Sequence, residues 1–252
     1  DGDVVDFGCG QGSYTLPLAR VVPPSLVHAI DRSAENLDIL TERLAEYGLR
    51  HAVRVVANEG KLRFARVPAA SCQAVLLFDV LQHVDDWDVL LRECRRVLRP
   101  NGQLLVNPST LSHPGKVDVE DLTARLDTLN IVPRVQVRRH VMHYKHFEEE
   151  ELLAFVALTS FRQHVYQAVS QIPEGRVSTY GDIAQAIDCG SARAVGQALR
   201  NNPLAPSVPC HRVVAGDMSL HGFSGQHHGD EPARKKALLQ QEGVVFTTPT
   251  KI

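Results

Sequence analysis

The chain has 252 residues, of which 44% are hydrophobic and 22% charged, and its formal net charge is −2. Those proportions exclude collagen-like, low-complexity and disordered classes, and they leave any nucleic-acid binding to a local patch. At about 100–200 residues per domain the length predicts two domains. The longest apolar run, Leu152–Leu158, is far short of the roughly 20 residues a membrane-spanning helix needs. No charged-then-apolar leader opens the sequence, so a signal peptide is not expected. The abrupt start, a strand followed at once by a glycine loop, predicts that further residues precede Asp1. Cys9, Cys72, Cys94, Cys189 and Cys210 lack CxxC spacing and read as reduced intracellular thiols, with neither a disulfide framework nor a metal site.

In chain order, Val4–Phe7 reads as a strand, followed by the glycine loop and a helix ending near Arg20. Val27–Asp31 is a second strand, and Ser33 is an N-cap for a helix running to about Tyr47. Val53–Ala57, Ala74–Phe78 and Gln103–Asn107 read as further strands, and Val135–His143 supplies a last one. Asp85–Leu98 predicts a helix, with acids in its first turn and arginines in its last, stopped by Pro100-Asn101-Gly102. Strands alternating with helices imply a parallel sheet covered on both faces. The charge run Glu148–Glu151 reads as a solvated helix start and marks a domain border. Residues 1–147 are thus expected to form one domain, 148–159 a linker or helix start, and 160–252 a second domain. From Ser160 onward the pattern is helices and loops. Two short helices, one starting over Ser178–Ala184 and one over Ser191–Arg200, about a glycine-containing turn predict a helix-turn-helix.

Two motifs carry chemistry. Asp6-Phe7-Gly8-Cys9-Gly10-Gln11-Gly12 lies between a strand and a helix, where glycines permit a tight turn and close approach of a ligand to the backbone. The spacing is GxGxG, unlike the GxGxxG of dinucleotide sites, and Asp31 closes the next strand where a carboxylate can accept from ribose hydroxyls. Pro209-Cys210-His211-Arg212 places a thiol beside a base and a positive charge, the setting that makes a thiolate nucleophile. Around it, Cys189–Gly216 holds Arg193, Arg200 and Arg212 and no acid. The small residues Ala194, Gly196 and Ala198 between two arginines suit close approach to a duplex, with arginines meeting phosphates. His83 and Cys189 read as structural, Tyr14 and Trp87 as packing residues, and His227-His228 as a solvated loop.

Val4–Arg20, Ala29–Ser33 and the stretch from Phe78–Val84 through Leu98–Gly102 resemble class I S-adenosylmethionine-dependent methyltransferases of the small-molecule type. The resemblance implies a Rossmann-like sheet. It implies that Gly8, Gly10 and Gly12 carry the methionine and ribose portion of the cofactor, and that Asp31 holds the ribose hydroxyls. It places Asn58 at adenine, and gives Asp6 the loop and the amino-acid end of the cofactor. The helix that normally precedes the first strand is missing.

Residues 160–245 resemble O6-alkylguanine-DNA alkyltransferases. The matching pieces are Thr179-Tyr180, Ala192–Gly196, Asn201-Asn202-Pro203, Pro209–Val213, Gly222-Phe223-Ser224-Gly225 and Leu238–Gly243. The fold implied is mostly helical and winged-helix-like, and the activity is irreversible, single-turnover transfer of an alkyl group from guanine O6 to Cys210. His211 would draw the thiol proton through a water and Glu242 would orient the imidazole, as in a Cys–His–acid triad. Asn202 would position the active-site turn, and Tyr180 would donate a proton towards the departing guanine. Arg193 would fill the gap left by the flipped base, with Ala194, Gly196 and Arg200 on the DNA face and Ser224 on the loop touching the base. Phe223 departs from the usual tyrosine, and Gly225–Asp230 replaces a glycine pair.

The resemblances together imply a cytoplasmic monomer, nucleoid-associated when bound to its double-stranded DNA. S-adenosylmethionine would serve the first domain, no cofactor the alkyl transfer, and no metal either domain. Two alternatives stand beside this reading: a non-catalytic lesion-binding module that recruits repair factors, and a small-molecule methyltransferase with the repair domain as passenger.

Overall fold

The computed structural model describes residues 2–58, 61–108, 117–143, 146–220, 223, 230–248 and 250–252. The chain divides into two compact units, Asp1–Leu158 and Thr159–Ile252.

The first unit is built on β1 (Asp3–Phe7), β2 (Val27–Asp31), β3 (Val53–Ala57), β4 (Cys72–Leu77), β5 (Leu98–Val106), β6 (Ile131–His143) and β7 (His146–Ala157). They form one sheet of order β3-β2-β1-β4-β5-β7-β6. The first five pair in parallel, while β7 runs antiparallel to both β5 and β6. The expectation of a wholly parallel sheet is therefore corrected at one side. Among the described residues, the strands are connected by α1 (Thr15–Val21), α2 (Ala34–Glu46), α3 (Trp87–Val97) and α4 (Val119–Thr128). Ser33 caps α2 as expected, its side chain accepting from the Asn36 N–H, and Asp86 caps α3. Val5, Ile30, Val75, Leu77 and Leu104 are buried on the central strands. Such continuously apolar strands are what a sheet covered on both faces requires.

Two local expectations fail for identifiable reasons. Glu148–Glu151 opens no helix and makes no linker; it lies inside β7, where Leu153–Ala157 are all buried, as is Leu158 just after the strand. That apolar run is paired along its edges with β5 and β6, and its consecutive buried residues mark a strand covered on both faces, which does not alternate, so length and charge alone suggested the wrong element. The register sets Arg138 opposite Glu151, a cross-strand pairing of opposite charges that favours this alignment. The border between units then falls after Leu158. Pro100-Asn101-Gly102 likewise does not separate α3 from a later strand, because β5 begins at Leu98. The tripeptide instead bulges from the ladder, which pairs Leu98 with Cys72 and resumes at Gln103 with Ala74. Asn101 takes φ 66° there, a conformation asparagine tolerates.

The second unit contains α5 (Ser160–Ser170), β8 (Ser178–Thr179), α6 (Tyr180–Ala186), α7 (Ala192–Arg200), β9 (Val213–Val214) and α8 (Asp230–Gln241). α6 and α7 form the expected helical pair. Thr179 and Asp182 make a reciprocal capping box on α6, and Ser191 caps α7. The two-residue strands β8 and β9 pair in parallel. Among the described residues this is not the antiparallel wing that a winged helix would carry, because the chain between them makes a helical crossover rather than a hairpin.

Candidate functional site

In the first unit the loop after β1 gets its shape from backbone conformation. Gly8 and Gly12 take φ 78° and 89°, and a Cβ on either would meet Val80 Cγ2 at 2.6 Å or Leu40 Cδ1 at 2.5 Å. These two glycines are needed for packing as well as for the turn. Gly10, at φ 51°, has nothing within 4 Å of where a Cβ would sit, so its open side is the one available to a ligand.

Asp31 is 8% exposed at the end of β2. One of its oxygens accepts from the Gly10 N–H at 2.8 Å and the other from the Ser33 N–H at 2.9 Å. Part of the carboxylate is thus spent on holding the loop. A carboxylate accepts about four hydrogen bonds, so acceptor capacity remains for a ribose diol. Asn58 follows β3 and donates its backbone N–H to the Asp31 carbonyl at 3.1 Å.

Asp6 lies beneath the loop, bonded to the start of α1. It is 3% exposed and accepts from the Thr15 hydroxyl, and burial pushes its carboxyl up to about 6. It anchors α1 from beneath the loop. Tyr14 packs edge-on against Phe78, and the Trp87 indole N–H donates to the Leu81 carbonyl, as expected of packing residues.

In the second unit the site is a polar network. Cys210–Arg212 forms a single 3-10 turn, with Cys210 half-buried. His211 Nε2 lies 2.8 Å from Glu242 Oε1, across 31 residues of chain. With Nε2 bonded to a carboxylate, Nδ1 is the ring nitrogen left to accept a proton. Arg212 does not add its charge to the thiol. Its Nε and Nη2 both bond the Glu242 carboxylate, at 2.9 and 2.8 Å, and Nη1 donates to the Ile172 carbonyl. Arg212, and after it His211, hold the Glu242 carboxyl down to about 2. Glu242 therefore stays ionised wherever the imidazole needs it.

The thiol itself is pushed up by burial, opposed by a hydrogen bond from Asn202 and by the charge of Lys235. Asn202 also spans the turn, donating to the Val208 carbonyl and accepting from the Leu204 N–H. Lys235 carries no motif signal and was not among the expected site residues. It is fully buried on α8, its ammonium donating to the Val213 carbonyl at 2.7 Å and the Leu220 carbonyl at 2.8 Å. Burial draws its pKa down to about 8. The same ammonium stands 5.9 Å from the centre of the Tyr180 ring, and Tyr180 is itself pushed above the usual phenol range by burial. A fully buried lysine is rare unless paired; a charged residue in the middle of a helix gives no hint in sequence that it turns inward.

On α7, Arg193 and Arg200 are exposed and Ala194 is half-buried. Gly196 faces the Tyr180 ring, 3.8 Å from where its Cβ would be, and Ala198 is 3% exposed. The small residues of α7 therefore serve packing in part, while the arginines and Ala194 remain on the open face. Tyr166 supports the helix from α5, donating its hydroxyl to the Ala198 carbonyl at 2.9 Å. Ser224 and His227-His228 lie outside the described residues. Phe223 is half-buried.

A glycine loop after β1 and a carboxylate ending β2, on a sheet of this order, have the architecture of the class I methyltransferase fold; the second unit carries a cysteine beside a histidine held by a glutamate. The comparisons match each unit to a different family model. Residues 5–106 match the family model described as a methyltransferase domain. Residues 160–244 match the model described as the DNA binding domain of 6-O-methylguanine DNA methyltransferase. A methylated-DNA–protein-cysteine methyltransferase of Mycobacterium tuberculosis is 45% identical over 85 residues, 33% of this chain and 48% of that protein. The chain thus spans about half the length of the curated relatives it matches. A SAM-dependent methyltransferase from Aquifex aeolicus aligns at TM-score 0.51 with 19% identity, covering 62% of this chain and 82% of that one. The cyclase SpnF aligns at the same TM-score with 17% identity, covering 63% of this chain and 76% of that one. One fold here accompanies two differently named activities, so the sheet alone decides no chemistry.

Proposed function

We propose that the second unit repairs O6-alkylguanine in duplex DNA by moving the alkyl group irreversibly to Cys210, and that the first binds S-adenosylmethionine for methylation of an acceptor not yet identified. The observation that carries the repair reading is the His211–Glu242 contact at 2.8 Å beside Cys210, inside a segment matched by the alkyltransferase family model. His211 takes the thiol proton at Nδ1, and Glu242 stabilises the resulting imidazolium. The Cys210 sulfur then bonds to the alkyl carbon as the carbon–O6 bond breaks, and the guanine accepts a proton, for which Tyr180 is the donor. A thioether is a poor leaving group, so each molecule acts once.

Arg193 and Arg200 on the open face of α7 meet the duplex, Arg193 replacing the extruded base. Ala194 and Gly196 let the helix come close to the groove, and Ser224 contacts the flipped base. In the first unit, the open side of Gly10 and the spare lone pairs of Asp31 fit a nucleoside, with Asn58 towards its base. Bound there, S-adenosylmethionine would supply an electrophilic methyl group. The chain is proposed to work as a monomer, near the nucleoid when engaged with DNA.

Mass spectrometry after incubation with a duplex containing O6-methylguanine tests this directly. The expected result is one added methyl mass on Cys210, absent from Cys210→Ala. Lesion binding without any mass gain would instead support a module that only recruits repair factors.

A further inference from the structure

Thr250–Ile252 lie beyond the residues matched by the alkyltransferase model, yet they pair with the chain segment that holds the Lys235 ammonium. The Leu220 N–H donates to the Thr250 carbonyl at 3.0 Å, and the Ile252 N–H donates to the Met218 carbonyl at 3.2 Å. Between these bonds Ser219 stands opposite Lys251 in an antiparallel bridge. The pairing is made by main chain alone, so no side-chain motif announces it.

Both backbone groups of Leu220 are committed: its N–H goes to Thr250, and its carbonyl takes the Lys235 ammonium at 2.8 Å. The other carbonyl on that ammonium, at Val213, is set independently, because Val213 and Val214 pair with Ser178 and Thr179 of β8. Between the two carbonyls the chain reverses, with Met218 at φ 65°. There the Met218 N–H donates to the Ala215 carbonyl and the Ala215 N–H to the Ser219 carbonyl. The spacing of the two acceptors thus rests on this turn, on β8 at one end and on Thr250–Ile252 at the other. Met218, Phe246 and Ile252 also pack on the apolar cluster of Val214, Leu220, Leu239 and Val244.

We infer that Thr250–Ile252 form a positioning brace for the alkyl-acceptor site: by fixing Leu220 they keep the Lys235 ammonium charged beside Tyr180 and Cys210, a role that rests on the proposed repair activity. A buried ammonium needs its acceptors. Burial already draws Lys235 down to about 8, and a buried cation that loses one of two carbonyls is favoured to shed its proton. The charged and titratable groups acting on Cys210 are Lys235 and Arg234 of α8, Tyr180 of α6 and Tyr166 of α5, with His211 beside it. Of the two cations Lys235 acts on the thiol more strongly. Without that charge the thiol ionises at higher pH.

The experiment compares the intact chain with a variant lacking Thr250–Ile252, across pH, by mass spectrometry of Cys210. One arm uses iodoacetamide and the other a duplex containing O6-methylguanine. In the deletion variant the alkaline rise of iodoacetamide labelling should move to higher pH, and methyl transfer near neutral pH should slow severalfold. Ile252→Pro removes only the donor to Met218 and should move the profile the same way, which keeps the test open if the deletion does not fold. Lys235→Met should move the profile of the intact chain and move that of the deletion variant no further, since both act through one ammonium. Phe246→Ala keeps the pairing and thins the same cluster, so it should lower the melting temperature and leave the profile in place. An unmoved profile in the folded deletion or Ile252→Pro variant would overturn the inference. So would shifts that add in the double variant, or a Phe246→Ala profile that moves as far as the deletion's. Iodoacetamide needs no DNA, so an intact chain that takes no methyl would sink the repair reading alone, and the brace would still be judged on the labelling profile.

Discussion

The glycine loop of the first unit and the cysteine turn of the second are both short, tight and chemically exposed, but they are held by opposite means. The loop is shaped by what its residues lack: Gly8 and Gly12 leave no room for a Cβ, and Gly10 leaves space for a ligand. The cysteine turn is shaped by what distant side chains supply, since His211 and Arg212 converge on Glu242 and Lys235 ties down the carbonyls of Val213 and Leu220. A site built from backbone conformation should fail through strain. A site built from a charge network should fail through electrostatics, and so with a pH signature.

The largest effect should come from breaking that network. Glu242→Gln replaces the carboxylate that His211 and Arg212 share by a neutral amide with a single acceptor oxygen, and should slow alkyl transfer by about a hundredfold, the scale of losing a positioned acid–base partner. It should also change acid stability. Glu242 has its carboxyl lowered from 4.5 to about 2, so its contribution to folding is fully present above pH 4.5 and is lost as pH falls through 2. In Glu242→Gln this acid limb of the second unit's stability should flatten; an unchanged limb would mean the pair contributes nothing.

Next comes strain in the loop. Gly12→Ala should destabilise the first unit by about 1–3 kcal/mol, from overpacking against Leu40 together with an unfavourable φ. Gly10→Ala should cost less stability yet abolish cofactor binding, because its methyl would project into the ligand's space. Denaturant melts and calorimetry separate the two; equal behaviour of the two variants would erase the distinction between packing and binding glycines.

Asp31→Ala should weaken S-adenosylmethionine binding by about 1.5–3 kcal/mol, the scale of hydrogen bonds to a charged group. The proposed repair by Cys210 would take its alkyl group from DNA and should be untouched. A repair assay on this variant that fell sharply would show the two units to be coupled.

The smallest effect expected is a displacement of a pH profile. The Lys235 charge lowers the Cys210 thiol against the burial that raises it. Lys235→Met should therefore move the alkaline rise of the transfer rate to higher pH, and an unmoved profile would leave Lys235 a purely structural residue.

Much of this was readable without coordinates. The turn glycines, the capping residue Ser33, the βα rhythm and the Cys210-His211 dipeptide are local signals, each a consequence of what neighbouring residues permit the backbone to do. Resemblance carried Glu242 and Asn202 into the site, where spacing alone would have left them unassigned. Three features needed the tertiary structure. Glu148–Glu151 became strand because the apolar run beside it is covered by β5 and β6 on its two edges, a partner choice no local pattern reveals. Arg212 turned to Glu242 instead of the thiol, because a bidentate carboxylate 30 residues away offers it more than a neutral sulfur. Lys235 became part of the site because α8 turns it towards two carbonyls of chain segments it never neighbours in sequence. The sequence by itself determined which turns could form and which nucleophile was present. Only the fold decided which charges meet, because electrostatic partners are chosen by distance in space and desolvation, and neither is a property of a residue and its neighbours along the chain.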